Sequence, residues 1–310
     1  MFFDDTHADI YAKPIITQLS LALAKDGCDV LSVEDHDESL ESFYISLVGE
    51  VESMSKLLSA GMTRLFKSRV FHMALLIMTA HPLYLIYLSY KDQIQNPDPY
   101  YGMDEALPLI LGMLSFVSAV LSATLCGVEY SDGTIRNKIA IGHSRTAIYL
   151  SELFLNITAC VLLQIVNFTV LFALGNLVIG AFEISFGVII KMQLLEISVI
   201  SAYTAIFTLI AVLIQARSTA SVLALLSAMS MFFSGISICQ RLSPSANAAL
   251  SNGKQKLYQF LSDFLPSCQA IRIMERGIPD HAAGMVIYDL VILTVTTAAG
   301  ILVFRRKDLK

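Results

Sequence analysis

One short polar stretch of this chain has the residue types to hold another protein. It runs Cys126-Gly127-Val128-Glu129-Tyr130-Ser131-Asp132-Gly133-Thr134-Ile135-Arg136-Asn137-Lys138 and, after Ile141, Gly142-His143-Ser144-Arg145. Acids (Glu129, Asp132) and bases (Arg136, Lys138, Arg145) gather around an Asp-Gly pair, the dipeptide of a tight turn. A charged turn at a helix end presents both signs to a soluble partner. The same composition also suits an ordinary solvated loop that only enforces topology. Covalent and metal chemistry find no comparable arrangement. The six histidines (His7, His36, His72, His81, His143, His281) form no HExxH or other ligand spacing, and no GxSxG or Ser-Lys constellation occurs. The five cysteines (Cys28, Cys126, Cys160, Cys239, Cys268) make no CxxC pair, so they read as small hydrophobes and not as a disulfide frame or metal cage. No GxxxxGK[ST] phosphate loop is present, and no catalytic, cofactor-binding or metal-binding residue is expected.

A second kind of site is built from serines. Ser115, Ser118 and Ser122 follow three-and-four spacing along one helical face, and Ser227, Ser230, Ser234 and Ser237 do the same further on. Small polar residues on one face of a membrane helix either permit close packing or line a wet pathway. Gln164 and Asn167 suit interhelical hydrogen bonds better than substrate binding.

The elements that position these residues are apolar. Six stretches are long enough to cross a bilayer: Val70–Leu88, Leu107–Val128, Ala147–Ile179, Leu194–Ile214, Ala216–Cys239 and Met285–Phe304. A ~30 Å hydrocarbon core needs about 20 apolar residues per helix. Composition agrees, with 55% hydrophobic and 15% charged residues and a mean hydropathy of +0.65. The expected fold is an all-α integral membrane protein of six spans. Basic residues set its orientation. Arg64, Lys67 and Arg69 precede the first span, Arg136, Lys138 and Arg145 follow the second, Arg217 precedes the fifth, and Arg305, Arg306 and Lys307 follow the sixth. Cytoplasmic connections collect Lys and Arg, so both termini and the 129–145 segment are expected inside, in a plasma (inner) membrane. The acidic loop after span one and the long 241–284 connection then fall outside. The net charge of −5 comes largely from residues 1–53, and no nucleic-acid partner is expected.

Ionisable residues within the spans are few. His81 beside Pro82 reads as a kinked helix with a satisfied histidine. Glu196 and Asp289 fall within two turns of the outer ends of their spans and Glu152 near an inner end, where snorkelling or hydration is cheap. Three further pieces flank the spans. Residues 1–53 form a polar lead-in without the pattern of a cleavable signal peptide, with a helix ending at Gly27, a strand at Val30–Val33 and a helix from Ser39 through Leu47. Residues 54–69 place Leu57, Leu58, Met62, Leu65 and Phe66 at helical spacing against Lys56, Arg64 and Lys67, a basic amphipathic entry helix for the headgroup plane. The 241–284 connection carries a helix at Lys256–Leu265 that dips into or caps the outer face.

The segment between spans two and three resembles that of the membrane subunits of the type 2 ABC exporter family. Glu129, Tyr130, Gly133, Thr134, Arg136, Asn137, Ser144 and Arg145 match the Glu-Tyr, Gly-Thr, Arg-Asn and Ser-Arg pattern of that family. The resemblance covers about residues 54–310. It implies that Glu129, Tyr130, Asp132, Gly133, Thr134, Arg136, Asn137 and Arg145 couple to an ATPase subunit that binds ATP and Mg. It also implies a second permease copy or paralogue across a central cavity built from spans two and five, the two that carry the serine stripes. Residues 27–47 are in turn similar to the last strand and helix of an ABC ATPase, with Ser39-Leu40-Glu41 before an apolar run. The chain thus divides into 1–53, an ATPase-like tail, and 54–310, a six-span permease. The function implied is export by alternating access, of amphipathic or antimicrobial peptides or hydrophobic drugs. The alternative is an ATP-independent carrier or channel.

Overall fold

Among the described residues, six helices have the length and composition to cross a bilayer. The computed structural model describes residues 2–4, 7–9, 40–95, 109–180, 182, 184–214, 216–243, 251–276, 278 and 281–306. A two-stranded antiparallel ribbon, β1 (Phe2–Asp4) and β2 (His7–Asp9), pairs Phe3 with Ala8. The helix ending at Gly27 and the strand at 30–33 lie outside the described residues. Ten helices follow among the described residues: α1 (Leu40–Lys67), α2 (Arg69–Gln95), α3 (Leu109–Ser131), α4 (Thr134–Ala140), α5 (Arg145–Val178), α6 (Phe186–Leu213), α7 (Arg217–Arg241), α8 (Asn252–Phe264), α9 (Pro266–Arg276) and α10 (Ala282–Arg306). The spans are α2, α3, α5, α6, α7 and α10. The chain divides into two compact units, Met1–Gly49 and Glu50–Lys310. The expected helix at 39–47 and the entry segment at 54–69 form one helix, α1.

In the second unit α3 and α6 are central: α7 and α5 pack on α3, α10 and α5 on α6, and α2 on α5. The apolar stretch of α3 is 78% buried and that of α7 only 17%, so α7 leaves most of its surface for lipid or another chain. Close packing of α3 on α7 comes from small residues. Ala220, Ala224 and Ala228 recur every four residues on α7 and are buried with Ala119 and Ala123 of α3. A Cβ on Gly127 would lie 2.9 Å from the Arg217 backbone. Where apolar attraction between helices is cancelled by equally apolar lipid, such close backbone approach is what holds them.

The entry segment turns its stripe onto protein. Leu57, Gly61 and Leu65 are buried, and a Cβ on Gly61 would overlap Leu155 of α5, while Phe66 stays exposed. Helix α5 has 34 residues, about 50 Å at 1.5 Å per residue, so it extends past a ~30 Å core. Pro82 lies inside the continuous helix α2. The histidine before it is not satisfied as expected: His81 Nδ1 has no hydrogen-bond partner among the described residues.

Candidate functional site

The Asp132-Gly133 turn forms as the sequence indicates. Gly133 takes φ 68°, a left-handed conformation that only glycine adopts without cost, and caps the short helix α4. Ser144 then caps α5, accepting from the Ala147 N–H at 3.2 Å. Between these caps, α4 has two faces. Ile135 points inward, 4% exposed, beside Leu57, Ile148 and Tyr149. Outward stand Asp132, Arg136, Asn137, Ala140 and Ile141, the last 78% exposed.

Behind that outward face lies a cluster of four charges from four helices. Glu129, at the end of α3, has no exposed surface. It is ion-paired with Arg64 of α1 and, at 2.7 Å, with Lys138 of α4. Lys138 Nζ also donates to Glu152 of α5 at 2.8 Å, and Arg64 approaches the other oxygen of Glu152 at 3.7 Å. Thr134 Oγ1 donates to the Glu129 backbone carbonyl at 3.0 Å and to its carboxylate at 3.2 Å. Two positive and two negative charges balance, so none is buried without a counter-ion. The tethers join α1, α3, α4 and α5 at one end of the bundle. A crevice lined by Cys126, Tyr130, Tyr149, Val212 and Phe304 backs them.

The structure separates the sequence-selected residues into groups. Asp132, Arg136 and Asn137 share the exposed face; Gly133 and Thr134 shape the turn; Tyr130 and Glu129 point into the bundle. Arg145 turns to another helix end, donating to the carbonyls of Phe304 and Arg305 at 3.3 and 3.0 Å in the last turn of α10. Arg64 and Glu152 lie outside the residues selected for coupling, and Lys138 enters there only as one base of the polar stretch. Their signal was the buried charge itself: a glutamate at the end of an apolar helix requires a cation nearby. Glu152 is not snorkelling to water; at 5% exposure it is held by Lys138 and Arg64.

The serine stripes part ways. Ser115, Ser118 and Ser122 are at most 3% exposed. Ser115 and Ser118 donate to the Gly112 and Ser115 carbonyls at 2.8 Å, so their face packs within the chain. On α7, Ser227 is half-buried and Ser230, Ser234 and Ser237 are exposed.

Two other carboxylates are also drier than expected. Helix α6 begins at Phe186 and not at Leu194, which puts Glu196 almost three turns in at about 3.6 residues per turn, with no exposed surface. Gln164 of α5 donates to it across the helix pair, as expected of that residue, and to Gln193 Oε1 at 3.0 Å; Gln193 donates to Glu196 at 2.9 Å. The Asn167 amide nitrogen donates across to Met78 Sδ of α2 at 4.0 Å. Asp289 of α10, 2% exposed, accepts from Ser198 Oγ at 2.7 Å. No group of His, Cys, Asp and Glu suited to a metal occurs among the described residues.

The family model for ABC-2 family transporter proteins matches residues 57–236, more than half of the chain. A search of curated proteins returns no match. The match takes in α2 through most of α7, including the charge cluster and the serine stripes as far as Ser234. With six helices among the described residues long and apolar enough to cross a bilayer, it settles what kind of protein carries this site: the chain belongs to the ABC-2 transporter family and is a multi-pass membrane permease.

Proposed function

We propose that this permease exports its cargo by alternating access, driven by a separate ATPase subunit that docks on the outward face of α4 and itself holds ATP and Mg. The observation that carries this reading is the pairing of an exposed, mixed-charge face with a buried charge cluster directly behind it. Asp132, Arg136, Asn137 and the apolar knob Ile141 offer a docking edge. A push on that edge reaches α3 through Glu129 and Thr134, α5 through Lys138 and Glu152, and α1 through Arg64. Glu129 thus acts as a transmitter behind the docking face. Tyr130 and Arg145 hold neighbouring helix ends in register.

The rest of the reading follows from this placement. The α4 end, with the basic residues Arg64, Lys67, Arg136 and Arg217, is cytoplasmic, as are both termini, and the membrane is the plasma membrane. A second copy or paralogue covers the open side of α7, so that Ser230, Ser234 and Ser237 border the central pathway, while Ser115, Ser118, Ser122 and Ser227 set the helix packing behind it. Amphipathic peptides or hydrophobic drugs suit the cargo by family analogy. Residues 1–53 act as an ATPase-like tail that a chain starting at Met54 can lack.

Co-purification with the ATPase tests the docking face. Arg136→Glu together with Ile141→Asp should leave insertion and thermal stability unchanged, because both side chains are exposed. The pair should lower ATPase capture and cargo-stimulated hydrolysis at least tenfold. A double variant that still recruits and stimulates the ATPase fully would refute docking at α4. Transport by the chain without any ATPase would favour a carrier or channel.

A further inference from the structure

Two thiols that are 29 residues apart in sequence are brought together at the end of the bundle opposite α4. Gly235 makes this possible. A Cβ there would stand 3.1 Å from the Ser267 backbone and 2.9 Å from Ile271 Cδ1, so α9 packs directly on the bare Gly235 backbone. One turn further along α7 is Cys239, and next to Ser267 on α9 is Cys268. Cys239 Sγ donates to the Cys268 carbonyl at 3.9 Å, and Cys268 Sγ to the Gly235 carbonyl at 4.0 Å. The two thiols also hydrogen-bond to each other, and neither is part of a disulfide. Cys239 Sγ thus reaches the Cys268 backbone and Cys268 Sγ the backbone one turn before Cys239, the close neighbourhood that a disulfide requires.

We propose that Cys239 and Cys268 are an oxidation site whose intramolecular disulfide staples α9 onto the end of α7. The oxidant is a disulfide, carried by a small molecule or a protein, and the bond forms by exchange. Cys239, half-buried where Cys268 has no exposed surface, loses its proton and attacks one sulfur of the oxidant, displacing one thiol. Cys268 then attacks Cys239 Sγ in the mixed disulfide and displaces the second thiol. Two protein thiols are oxidised, the oxidant disulfide is reduced to two thiols, and the two protons pass to them. This order follows from the site. The hydrogen bond with Cys239, together with burial, pushes the Cys268 thiol above its usual range, which disfavours it as first attacker. Modifying Cys239 removes that hydrogen bond, and the nearby Arg272 guanidinium favours the Cys268 thiolate in the second step.

That the staple is populated in cells rests on the orientation proposed above, which puts α9 on the outer, oxidising side. Full-length protein in detergent, treated with oxidised glutathione and then denatured and labelled with a maleimide, tests the pairing. Two of the five thiols should be lost, and peptide mapping should recover a Cys239–Cys268 cross-link. Cys239→Ser and Cys268→Ser should each abolish it, with Cys268→Ala as the alternative if a buried hydroxyl unsettles α9. The oxidised wild type should melt several degrees above the reduced form, a difference lost in each variant. Five reactive thiols after treatment, or a glutathione adduct that stays on Cys239, would overturn the proposal. A cross-link that forms readily in detergent but is wholly absent from protein alkylated in intact cells would uphold the pairing and overturn the outside placement of α9.

Discussion

Among the described residues, two pairs of buried carboxylates are held by opposite means. Glu129 and Glu152, at the α4 end, share the cations Arg64 and Lys138. Glu196 and Asp289, inside the spans, are held by neutral groups, two glutamine amides and a serine hydroxyl. Removing one member of a buried ion group leaves a charge uncompensated in a low-dielectric interior. Removing the charge from a carboxyl surrounded by amides leaves its hydrogen-bond partners something to bond. The first pair is therefore rigid in composition and suited to transmitting displacement, whereas the second tolerates a neutral replacement.

The largest expected effect breaks the first pair. Lys138 lies 2.7 Å from Glu129 and 2.8 Å from Glu152, so Lys138→Met leaves two buried carboxylates with Arg64 alone. A loss of about 3–5 kcal/mol is expected, as for other broken buried ion pairs. Denaturation of the purified protein in detergent measures it. A loss below about 1 kcal/mol, the scale of an exposed ion pair, would mean that water reaches the cluster and would cancel the contrast.

A smaller effect is expected at the second pair. Glu196→Gln keeps the shape and an oxygen to accept from Gln164 and Gln193, and its new NH2 joins a group in which Gln164 Oε1 lacks a partner among the described residues. The change should cost no more than about 1 kcal/mol, the net value of one typical hydrogen bond, and Glu152→Gln should cost clearly more in the same assay. Equal losses in the two variants would show that Glu196 also answers a cation.

These two sites differ in how far the sequence revealed them. The six spans were legible because about 20 apolar residues in a row have few other uses, and the turn at Asp132-Gly133 was legible because a left-handed backbone at φ 68° favours glycine. The start of α6 was not, since the exposed Lys191 interrupts its apolar run. Starting that span at Leu194 made Glu196 look wet. Arg64, Glu129 and Glu152 lie on three helices, so no local spacing could join them. The meeting of Cys239 with Cys268 depends on Gly235 packing, which is a tertiary fact. The small-residue repeat Ala220, Ala224, Ala228 was present in the sequence and marks the face of α7 that packs, opposite in consequence to its serines.

The smallest stability effect is expected on that serine face, and it extends the contrast from charges to hydroxyls. Ser118 has no exposed surface and donates to its own helix. Ser118→Leu must force a branched side chain into a filled interior, at a cost of about 1–3 kcal/mol, with lower yield. Ser234 is exposed, with its hydroxyl turned back to the Met231 carbonyl at 2.9 Å. Ser234→Leu displaces nothing within the chain, so stability should stay within about 0.5 kcal/mol of wild type. Its consequence should fall instead on association of two copies and on transport, because a branched apolar side chain narrows and dries whatever surface faces Ser234. Thermal denaturation, the dimer fraction by size and cargo efflux separate the two variants. A Ser234→Leu protein with normal association and efflux would leave this face to lipid alone.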